Sequence, residues 1–144
     1  MYIDVDNQKT YIATGSKDHI QGNRGITFIH GTAMDHTVWT LASRHFARRG
    51  LNILAVDLPG HGRSEGDVIP SIEGMADWVI KALDASNQDK TIIVGHSMGS
   101  LVAFDVAARY PDRITALAMV GTSIPMPVGD VLLDSAKADK HVAK

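Results

Sequence analysis

The sequence predicts an α/β fold, a mostly parallel sheet with helices on both faces. Three observations carry that expectation. Short β-prone runs alternate with segments of helical periodicity. The runs at 52–56 and 91–94 are almost wholly apolar or β-branched, as strands buried on both faces are. The second of them ends in Gly95-His96-Ser97-Met98-Gly99, which opens directly into a helical pattern. Repeated strand–helix–strand order implies parallel pairing with right-handed crossovers.

Taken in order, the runs at 2–5 and 9–14, separated by Asp6, Asn7 and Gln8, predict a hairpin. Residues 15–25 are polar and turn-rich and lead into a third strand at 26–29, which ends at His30-Gly31-Thr32. Val38, Leu41, Ala42, His45 and Phe46 fall on one face of a helix that Gly50 stops. A fourth strand at 52–57 precedes the turn Leu58-Pro59-Gly60-His61-Gly62-Arg63-Ser64. Ser71 is placed to cap a helix whose apolar face is Ile72, Met75, Ala76, Val79, Ile80 and Leu83. The strand at 91–96 and its helix, ended by Pro111, precede a last strand at 114–120. Residues 1–121 read as one core unit. In 122–144, Met126, Val128, Val131, Leu132 and Ala136 fit the start of a lid or a frayed tail equally.

Between the fifth strand and its helix there is no room for an ordinary loop, so the chain reverses at Ser97. Gly95 and Gly99 let strand and helix approach closely around that serine. The helix N-terminus then presents free N–H groups and its positive end where an oxyanion would form. A serine hydroxyl is a poor nucleophile until a histidine takes its proton and an acid orients that histidine.

Composition narrows the classes. With 14 basic and 16 acidic residues the net charge is −2, which argues against nucleic acid or a membrane surface as partner. The chain has no cysteine, which removes thiolate metal sites, disulfides and cysteine nucleophiles. The seven histidines show no metal-ligand spacing, and Gly60-His61-Gly62 is not a dinucleotide fingerprint, so neither metal nor cofactor is expected. No signal peptide is visible and no apolar run approaches membrane-spanning length; the default placement is the cytoplasm.

With the Ser97 motif, His30-Gly31 and Asp57-Leu58-Pro59-Gly60-His61-Gly62-Arg63-Ser64 all in order, residues 1 to about 120 resemble an α/β-hydrolase-fold protein of the serine hydrolase and esterase type, ending after about the sixth strand. The resemblance implies Ser97 as nucleophile and the backbone N–H of Met98 as one oxyanion donor. It implies Thr32, with Ala33 as the alternative, as the other donor. His30, Gly31, Gly95, His96 and Gly99 would support them. It further implies an acid and then a histidine downstream of Ser97. The only downstream histidine is His141, and Gly121-Thr122-Ser123 stands where some members carry the acid, so the triad is expected to be incomplete in this chain.

The implied activity is hydrolysis of an ester or related acyl bond of a small molecule through acyl-Ser97. C–C bond hydrolysis and perhydrolysis stay open, and a serine here argues against the haloalkane dehalogenases and epoxide hydrolases. The alternative is an incomplete or non-enzymatic module that needs a second segment or partner chain and self-associates through an exposed sheet edge. His96 reads as a packing residue rather than a base. His30 and His61 read as loop braces, Asp57 as the anchor of its own turn, and Trp39 and Trp78 as packing residues.

Overall fold

The strands are β1 (Tyr2–Val5), β2 (Gln8–Ala13), β3 (Gly25–Ile29), β4 (Asn52–Val56), β5 (Thr91–His96) and β6 (Ile114–Val120). They form one sheet in the order β1-β2-β4-β3-β5-β6, in a computed structural model that describes residues 1–123 together with Pro125, Gly129, Asp130 and Asp134. β3 to β6 pair in parallel, and the β1–β2 hairpin joins antiparallel at the β4 side. Asp6 and Asn7 adopt φ of 54° and 61°, so they form the hairpin's two-residue turn. Gln8 therefore belongs to β2, paired with Val5, rather than to the turn.

Both faces are covered by helices, as the alternation predicted. α2 (Ile72–Ala85) and α3 (Met98–Arg109) bury Ile12, Ile29, Leu54, Val56 and Ile93 on one face. α1 (Thr40–Ala47), entered through a 3-10 turn at His36–Trp39, covers Ile26, Phe28, Ile53 and Ala55 on the other, with the Trp39 ring 4.9 Å from that of Phe28. β4 is buried along its whole length, consistent with its unbroken apolar run. Ser71 caps α2, its hydroxyl accepting from the Gly74 N–H at 3.1 Å, and Trp78 adds its bulk to that helix's buried face.

The α1 face matches the expected one only in part: Ala42 and Phe46 pack on the sheet as predicted, and the other positions shift. Leu41 is 83% exposed and Val38 is also exposed, whereas Ser43 and Ala47 are buried. The helix opens as a 3-10 turn at three residues per turn, which offsets Val38 and Leu41 from the face that an uninterrupted 3.6-residue period would give them. β6 forms one edge of the sheet among the described residues. No helix among them is long and apolar enough to cross a membrane. Met126, Val128, Val131, Leu132, Ala136 and His141 lie outside the described residues.

Parallel pairing brings the C-terminal ends of β3, β4 and β5 side by side. The His30–Asp35 loop, the Gly-rich turn after Asp57 and the Ser97 junction all emerge there.

Candidate active site

Ser97 stands alone between the end of β5 and the start of α3, with φ 53° and ψ −120°. A non-glycine residue in this region carries strain of about 1–3 kcal/mol, which the surroundings must over-determine. They do so from three sides. The Ser97 N–H donates to the Val120 carbonyl at 2.9 Å. Ser100, fully buried, donates its hydroxyl to the Gly95 carbonyl at 2.7 Å and accepts from the Val120 N–H at 3.2 Å. Close approach of backbones does the rest: a Cβ on Gly95 would collide with the Gly99 carbonyl, and one on Gly99 with the carbonyls of Ile29 and His30.

The contact of Gly99 with the end of β3 is what brings the next loop to the serine. A Cβ on Gly31 would lie 3.2 Å from the Ser97 Cβ and 3.0 Å from His96 Nδ1. Thr32 comes next, exposed, and Ala33 takes a positive φ of 56°. Met98 is the first helical residue, so its N–H has no partner within α3 and stands beside Ser97 at the positive end of the helix. Ser97, Met98, Gly31, Gly95 and Gly99 are thus gathered within one junction, with Thr32 on the loop against it.

His30 is fully buried under this loop. Its Nδ1 donates to the Gly31 carbonyl at 2.8 Å and its Nε2 accepts from the Leu58 N–H at 3.2 Å, which fixes the neutral tautomer. Burial pushes its pKa down, reinforced by the neighbouring His61, whose ring centroid lies 5.0 Å away. His61 Nδ1 lies 3.0 Å from the Pro59 carbonyl within its own turn.

Asp57, fully buried at the end of β4, anchors its turn through Oδ2, which accepts from the Arg63 N–H at 2.9 Å. It also holds a residue that pattern reasoning missed. Oδ1 accepts from the His36 backbone N–H at 2.7 Å, and His36 Nδ1 lies 2.9 Å from Oδ1 and 3.0 Å from Oδ2. Asp35, His36 and Asp57 bring metal-ligand-type atoms within 4.8 Å of one another. Those atoms are already engaged inside the chain, Asp35 Oδ1 by the Thr37 N–H at 2.8 Å and by the Thr37 hydroxyl.

The His96 ring stands edge-on to Trp39 at 6.5 Å, with Nδ1 buried against Gly31 and without a hydrogen-bond partner. Among the described residues no histidine hydrogen-bonds the Ser97 hydroxyl. A hollow of about 450 Å³ lies between the His30–Asp35 loop and the Gly-rich turn, lined by Ala33, Met34, Val38 and His61. A second concavity, of about 470 Å³, is lined by Asn23, Arg24, Gln88 and Lys90 at the opposite ends of the parallel strands, away from Ser97.

Residues 25–141 match the family model described as the alpha/beta hydrolase fold. Over 103 residues the chain is 37% identical to the pimeloyl-[acyl-carrier protein] methyl ester esterase of Citrobacter koseri, covering 72% of this chain and 38% of that relative. The chain therefore spans well under half of that protein's length. Among solved structures, a Nitrososphaera gargenis structure described among carboxylesterases superposes with a TM-score of 0.78 at 21% identity, over 99% of this chain and 53% of that one. The enol-lactonase of Burkholderia xenovorans LB400 superposes with a TM-score of 0.71 at 24% identity, over 81% of this chain and 45% of that one.

Proposed function

Because this chain belongs to the alpha/beta hydrolase fold family, we infer that it carries the nucleophile half of an ester hydrolase site acting on a small molecule. The observation that supports this most is the strained Ser97, held at φ 53° between a strand end and a helix start. Such a backbone has no structural use that an unstrained residue would not serve better. In this reading Ser97 Oγ attacks the substrate carbonyl. The N–H groups of Met98 and Thr32 stabilise the oxyanion, and the alcohol leaves to give acyl-Ser97, which water then hydrolyses. The esterase relative favours ester hydrolysis over C–C bond hydrolysis or perhydrolysis.

The acid and histidine of the triad are assigned to a second segment rather than to this chain, since none of the described histidines engages the Ser97 hydroxyl and no strand pattern in the sequence carries His141 to the junction. By itself, the 144-residue chain would then be weakly active or inactive. Comparing p-nitrophenyl butyrate hydrolysis by the intact protein and by Ser97→Ala tests the assignment. Turnover is expected to fall by on the order of 10³-fold or more, with the oxyanion donors sustaining the remainder. Turnover unchanged in the alanine variant would refute it.

A further inference from the structure

We propose that His36 and Asp57 are positioning residues for the oxyanion hole, holding the loop that carries its donor N–H at a fixed height above Ser97. The proposal rests on reading Ser97 as the nucleophile and extends it to two residues outside the Ser97 motif.

The loop from His30 to Asp35 has little to hold it from within. Its internal backbone bond runs from the Met34 N–H to the Gly31 carbonyl at 3.3 Å, and Ala33 sits at φ 56°, which alanine disfavours. Its two ends are instead pinned to one short piece of chain, Asp57-Leu58. At the near end the His30 ring bridges the Gly31 carbonyl and the Leu58 N–H, at 2.8 and 3.2 Å. At the far end His36 donates both its backbone N–H, at 2.7 Å, and its Nδ1, at 2.9 Å, to the Asp57 carboxylate.

Asp57 is itself immobilised from other directions. Its N–H donates to the Tyr11 carbonyl at 3.1 Å, its carbonyl accepts from the Ser64 hydroxyl at 2.7 Å, and Oδ2 accepts from the Arg63 N–H at 2.9 Å. The His36 ring packs on Tyr11, with centroids 4.8 Å apart. A buried carboxylate with charge-assisted bonds in fixed directions is a rigid reference point. The segment Gly31-Thr32-Ala33 is strung between the two pins, so the direction of its N–H groups is set by where the pins stand. A donor displaced by about 1 Å loses much of its hold on an oxyanion while leaving neutral substrate binding nearly untouched.

The test uses the intact protein with His36→Ala and His36→Asn, rates being normalised to the folded fraction by near-UV circular dichroism. Asparagine can return a donor near the Nδ1 position. The proposal expects kcat of His36→Ala to fall on the order of 10–100-fold with KM nearly constant. It expects the Ki of a trifluoromethyl ketone, whose adduct bears the oxyanion, to rise in parallel, and His36→Asn to recover most of both. An unchanged kcat in His36→Ala overturns the proposal. So does a loss shared equally by KM with the ketone Ki unmoved, or one that asparagine does not reverse. Ser97→Ala runs beside them: if it retains turnover, the nucleophile assignment itself fails, whatever His36 does.

Discussion

The N–H of Ser97 donates to the carbonyl of Val120 at 2.9 Å, so the proposed nucleophile hangs on the last residue of β6. Ser100 doubles that link from the first turn of α3, its hydroxyl joining the Gly95 carbonyl to the Val120 N–H. The strain at Ser97 is therefore sustained by a neighbouring strand and a buried hydroxyl together, and not by the tightness of the turn alone.

That strain has a measurable signature. Glycine accepts φ 53°, ψ −120° without penalty. Ser97→Gly should raise stability by about 1 kcal/mol, the relief of strain exceeding the extra entropy of an unfolded glycine. The same variant should lose all reaction with serine-directed probes. Urea unfolding of the two proteins gives the comparison, and a destabilised glycine variant would show that the backbone at Ser97 carries no strain.

The packing of α1 predicts a contrast between two leucines. Leu54 is fully buried in β4, and Leu54→Ala should cost about 2–5 kcal/mol. Leu41 is 83% exposed, and Leu41→Ala should change stability by less than about 0.5 kcal/mol. Equal losses at the two sites would restore the uninterrupted helical face that the sequence suggested.

His30 makes stability depend on pH in a defined direction. Burial lowers its pKa below the ordinary 6.5, so between that value and the folded one the unfolded chain binds the extra proton. Its contribution is fully present above pH 6.5 and is lost as pH falls through the folded pKa. Half-buried His19 shifts the same way and adds to the trend. Urea midpoints should fall on acidification below about pH 6.5, and His30→Asn should flatten, without abolishing, the slope. A slope identical in both proteins would show that His30 carries no such linkage.

The fold was largely readable because its signals are local. Unbroken apolar runs gave β4 and β5, Ser71 gave the start of α2, and glycine spacing around Ser97 gave the junction. Local pattern failed where geometry changed without a change of composition: nothing in His36–Trp39 announces a 3-10 turn, and so periodicity puts Leu41 on the wrong face. The His36–Asp57 pair was invisible for a different reason. Its partners stand 21 residues apart, and only the parallel register of β3 and β4 brings them together. Ser100 looked like one more small residue of a helix start. Its role depends on Val120, 20 residues away.

The most direct measurement is the site and rate of fluorophosphonate labelling, with the adduct located by mass spectrometry. Slow labelling of the 144-residue chain is expected, confined to Ser97. Rapid labelling at the same residue is expected once a segment supplying an acid and a histidine is joined to it. Rapid labelling of the chain alone would contradict the claim that the base lies elsewhere. Labelling at any other serine would contradict the assignment of Ser97.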